Sequence, residues 1–61
     1  MRIIAKVVRA GETLFQHIFD AKQRGDFADG VQYALSKVTQ DRQDIDLLAP
    51  DVTFTVDKID A

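Results

Sequence analysis

Residues 1–21 place apolar side chains on both faces of what reads as a β-hairpin, and the rest of the chain supplies one helix to cover a face. A second covering layer is missing. That mismatch constrains the chain more than any motif in it, because a β-sheet needs its apolar faces buried against another element.

The chain reads as a single small domain over residues 1–61, and at this length folding removes only about 60% of the surface that the unfolded form exposes. Its margin of stability is therefore thin. With no cysteine there is no disulfide and no thiolate zinc site, which leaves close packing or oligomerisation as the supplement. An apolar fraction of 46% beside a charged fraction of 30% fits a folded globular domain rather than a disordered one. No run approaches the length of a membrane span, and no secretory signal pattern opens the chain, so the expected setting is cytoplasmic with no membrane partner.

The net charge of −2 conceals a division by sign. Arg2, Lys6, Arg9, Lys22 and Arg24 dominate the first part, whereas Asp26, Asp29, Asp41, Asp44, Asp46, Asp51, Asp57 and Asp60 dominate the second. Such a split allows two copies to meet basic edge to acidic surface, or offers phosphate a cationic patch. Most of the aspartates suit caps and turns, because Asp competes for nearby backbone hydrogen bonds.

From Arg2 to Ala10 the residues Ile3, Ile4, Val7 and Val8 form a β-branched run, and Leu14 to Phe19 is a second apolar segment. Between them Gly11 suits the first central position of a type II′ turn. Pairing Ala10 with Thr13 sets Val8, Lys6 and Ile4 opposite Phe15, His17 and Phe19 on one face. The other face then joins Arg9 to Leu14, Val7 to Gln16, Ala5 to Ile18 and Ile3 to Asp20.

After a polar loop over residues 21–25, Phe27, Val31, Ala34, Leu35 and Val38 fall at the spacing of one helical stripe, with Asp26 as the expected N-cap and a stop near residues 40–42. Gly30 inside this stripe costs about 1 kcal/mol relative to Ala unless backbone packs closely there. Leu47 and Leu48 are expected to anchor the next connection, and Pro50 precedes a final strand. In that strand Val52, Phe54 and Val56 alternate with Thr53, Thr55 and Asp57, so the apolar side should meet the helix.

The elements spell a small α+β domain, ββαβ, with a three-stranded sheet in the order 2-1-3 and the helix on one face. A βααβ alternative stays open, because Leu14, Phe15, Ile18 and Phe19 also match a helix buried on one side, capped by Thr13 and stopped at Gly25. A basic strand followed by two helices resembles, in order only, the ribbon-helix-helix repressors. That resemblance implies DNA contacts through Arg2, Lys6 and Arg9; the C-terminal strand and the acidic balance depart from it.

Candidate chemistry is thin. His17 is the single histidine, set among apolar neighbours where a structural or interface role outweighs general-base work. Asp41, Asp44, Asp46 and Asp51 lack the glycine and terminal Glu of a calcium loop, and Gly25 and Gly30 lack the Lys and Ser or Thr of a phosphate loop. Tautomerases of this size use an N-terminal proline, whereas here Arg2 follows Met1. The expectation is therefore no enzyme, no cofactor, no metal and no small-molecule substrate. What remains is a protein-interaction module, a small adaptor, regulator or inhibitor, acting as a homodimer or within a complex. Its expected partner-binding residues are Ile3, Ala5, Val7 and Ile18, with Leu14 at the rim; the second expectation is nucleic-acid binding through Arg2, Lys6 and Arg9.

Overall fold

The computed structural model describes residues 1–59. Strands β1 (Arg2–Arg9) and β2 (Glu12–Asp20) precede helix α1 (Arg24–Asp41), and β3 (Val52–Lys58) closes the order. The sheet runs β2-β1-β3, the order expected from a crossover through the helix, and both junctions are antiparallel. Residues 13–23 contain no second helix, so the βααβ alternative is excluded. Neighbouring β-branched residues and an edge against β1 outweigh the helical spacing of the Leu14–Phe19 segment.

The hairpin departs from expectation at its tip. Its two-residue loop is Ala10-Gly11, both residues having positive φ (52° and 79°), which is the type I′ pattern rather than II′. Arg9 pairs with Glu12 and Val8 with Thr13, but Val7 pairs with Phe15, so Leu14 is an extra residue in a β-bulge. That bulge fixes the rest of the register: Ile3 opposite Phe19, Ala5 opposite His17 and Ile4 opposite Ile18. A shift of one residue exchanges the faces of a strand. The face holding Ile3, Ala5 and Val7 therefore also holds Phe15, His17 and Phe19, and across β3 it continues into Val52, Phe54 and Val56.

Helix α1 lies over β2 and β1 on that face. Ala34 and Val38 are buried and Val31 is half-buried, whereas Phe27 and Leu35 at the stripe's margin stay about two-fifths exposed (41% and 38%). Gly30 sits under the ring of Phe19, and a methyl group added at Gly30 would fall inside that ring. Close packing is thus the reason a glycine stands in mid-helix. The helix begins three residues earlier than expected: Gln23 is the N-cap, and Asp26, at the third helical position, accepts from the backbone N–H of Lys22 (2.9 Å) and Gln23 (3.3 Å). A carboxylate there satisfies donors that the helix leaves free and suits the positive end of its dipole.

Over β3 the covering layer comes from the turns after the helix. Ile45, not singled out by the sequence pattern, is buried against Val7 and Val38, and Leu47, Val52 and Phe54 pack around this cluster. Leu48, by contrast, is 93% exposed and anchors nothing. Its backbone N–H donates to Asp46 Oδ1 (3.0 Å), a local turn that aims Leu47 inward and Leu48 outward.

Candidate interaction surface

The exchange of faces relocates the expected site. Ile3, Ala5 and Val7 are at most 1% exposed and form the core under α1, so they cannot meet a partner in the folded chain. Leu14 packs half-buried against that same core at the bulge. Only Ile18 of the expected set lies on the uncovered face, where it is 42% exposed. The apolar residues beside it are Ile4, directly across the strand, and Val8, both half-buried by their neighbours in the sheet. Sequence period alone identifies both hairpin faces as apolar; the bulge decides which one the helix takes.

Around Ile4, Val8 and Ile18 the face carries Arg2, Lys6, Gln16, Asp20, Thr53, Thr55 and Asp57. No described element packs across it, the single helix being committed to the other side. Thr55 Oγ1 is shielded from solvent and has no hydrogen-bond partner among the described residues. A buried hydroxyl in that condition costs stability, which marks this stretch of β3 as incompletely satisfied in a single copy.

The three cations expected to meet nucleic acid do not share a surface. Arg2 and Lys6 project from the uncovered face, whereas Arg9 projects from the other, where its charge helps to lower the pKa of Asp44. The main cause of that lowering is the hydrogen bond from Arg42, whose Nε and Nη2 both reach the Asp44 carboxylate at 3.0 Å. The same guanidinium uses Nη1 to donate to the Leu14 carbonyl (2.6 Å), so Arg42 ties the helix terminus to the bulge.

Three of the four aspartates of the expected acidic cluster have local work. Asp44 holds Arg42, Asp46 caps a turn, and Asp41 pairs with Lys37 one helical turn away at 3.3 Å. Among the described residues no group of three or more potential ligands is arranged around a metal position. His17 lies half-buried on the helix side, away from Lys6, its ring 5.6 Å from Phe19 and 4.8 Å from Tyr33. Its described ring neighbours are thus a phenylalanine and a tyrosine, which pack it against the helix. A cavity of about 500 Å³ opens at the end of the sheet near Ile3 and Phe27, rimmed by Lys22, Arg24 and Lys58. Its described lining joins these cations to the apolar Met1, Ile3, Ala21 and Phe27.

No described helix is long and apolar enough to cross a membrane. No protein-family model, curated protein or solved structure matches this chain.

Proposed function

We propose that this chain is a non-enzymatic protein-interaction module, a small adaptor, regulator or inhibitor that works as a homodimer or within a complex, and that its recognition surface is the uncovered sheet face of Ile4, Val8 and Ile18. One observation carries this reading: a three-stranded sheet has apolar groups on both faces and a single helix to cover them. Burial of the remaining apolar groups gains about 25 cal/mol per Å² before the costs of association. A cytoplasmic setting belongs to the same reading, since a cysteine-free fold needs no oxidising compartment.

A photo-activated cross-linking side chain placed at Ile18 in the intact protein, in its native cell, tests the surface. A discrete adduct is expected from position 18, and none from the same group at the exposed helix residue Gln32 on the opposite side. Equal and diffuse labelling from both positions would overturn the assignment.

A further inference from the structure

We infer that the cavity at the end of the sheet binds a small amphipathic anion free in solution, its acidic head group held by Lys22, Arg24 and Lys58 and its apolar body laid against Met1 and Phe27. The site goes beyond the interaction reading. It lies on the helix side of the sheet, so it does not use the uncovered face of Ile4, Val8 and Ile18.

The cavity exists because the layer over the helix side is incomplete. Helix α1 spans β2 and β1, and the turns after it close over Val52 and Phe54, which leaves the Lys58 end of β3, beside Ile3, without a cover among the described residues. Its floor is fixed. Met1 and Ala21 exchange backbone hydrogen bonds (2.8 and 3.2 Å) on one side, and the Ile59 N–H donates to the Arg2 carbonyl (3.1 Å) on the other. Phe27, near the start of the helix, forms a wall of this space rather than part of the core, which accounts for an aromatic ring left 41% exposed. At about 500 Å³ the volume falls in the range of small-molecule sites, roughly 300–1,000 Å³.

Charge decides the head group. Three cations from separate parts of the chain meet at the rim: Lys22 from the loop before the helix, Arg24 from its first residue and Lys58 from the end of β3. None of the three has an ion-pair or side-chain hydrogen-bond partner among the described residues, whereas Lys37 and Arg42, at the far end of the helix, are held by Asp41 and Asp44. The nearest described acids do not cancel them. Asp57, next to Lys58 in the chain, and Asp20, just before the loop, lie on the opposite face of the sheet, in register with Ile4 and Arg2. Asp26 stays on the helix side, but its Oδ2 accepts from the backbone N–H groups of Lys22 and Gln23, so it caps the helix and keeps the helix terminus out of the site.

The two halves of the site together select the ligand. A neutral apolar molecule would leave the cations without charge-assisted hydrogen bonds, and a small inorganic anion would leave Met1 and Phe27 facing water. Lysine and arginine suit such a rim, since their stems lie along apolar surface while the charge stays at the edge.

Octanoate, octanol and inorganic phosphate separate these contributions, each titrated into the isotopically labelled full chain and followed by backbone amide NMR shifts. Asp60 is then in place and competes as it does in the protein. Octanoate should give saturable shifts at Ile3, Ala21, Lys22 and Phe27 and none at Val8. Octanol and phosphate should each bind at least about tenfold more weakly. Arg24→Gln combined with Lys58→Gln should weaken octanoate binding about tenfold at an unchanged melting temperature, because both side chains are exposed, whereas Lys37→Gln should leave the affinity unaltered. Octanol binding as tightly as octanoate would overturn the anionic head, and phosphate binding as tightly would overturn the apolar body. Shifts confined to Ile4, Val8 and Ile18, or no saturable shift, would overturn the site. Sedimentation of the chain with phosphatidylglycerol vesicles in place of octanoate binding would overturn a free ligand in favour of a lipid surface. The labelling from position 18 decides the interaction reading separately.

Discussion

Gly30 shows how one missing side chain positions an element. In an exposed helix Gly→Ala gains about 1 kcal/mol, but here the added methyl would enter the Phe19 ring, and overpacking of this kind costs about 1–3 kcal/mol. Gly30→Ala should therefore lower stability by about 1–2 kcal/mol in urea titration, and the loss should vanish in a Phe19→Leu background, where the ring is gone. A gain in stability from Gly30→Ala alone would show that α1 does not rest on Phe19. The spacing of the helical stripe makes Gly30 visible in the sequence as an anomaly. Its cause lies in β2, eleven residues away along the chain, which periodicity within the helix does not report.

At the scale of the element, the hairpin is held in register by its tip and its bulge. Ala10 adopts a left-handed conformation that an L-residue with a Cβ occupies at a cost of about 1–2 kcal/mol and that Asn tolerates better. Ala10→Asn is expected to stabilise the chain by about 1 kcal/mol, read from the urea midpoint, with no change in fold. A destabilised variant would count against the type I′ geometry. The turn's centre is Ala10-Gly11 rather than Gly11-Glu12, yet to within that one residue it was legible in the sequence, since Gly11 interrupts two apolar runs. Its type was not, because the extra residue is absorbed three positions later at Leu14, where Arg42 from the end of α1 satisfies the bulged carbonyl. Strand β3 had the opposite character: its alternation alone named its inward face, and the structure agrees.

For the whole molecule, the two faces of the hairpin have opposite sensitivities. Val7 is fully buried, and an aspartate there would place an unpaired charge in the core, a change costing more than about 3 kcal/mol in a domain whose total stability is of order 3–9 kcal/mol. Val7→Asp should lose its cooperative thermal transition. Ile18→Asp, on the uncovered face, should keep it, with a loss of about 1 kcal/mol, and alter contacts with a partner instead. The reverse pattern, a folded Val7→Asp beside an unfolded Ile18→Asp, would mean that the helix covers the other face. The sequence by itself determined the elements, their order and the presence of apolar groups on both sides of the hairpin, because these follow from local periodicity and turn chemistry. Only the tertiary structure decided which side is core and which is open to a partner. One bulged residue inverts every side chain beyond it, and that bulge is secured by a guanidinium twenty-eight residues further along the chain.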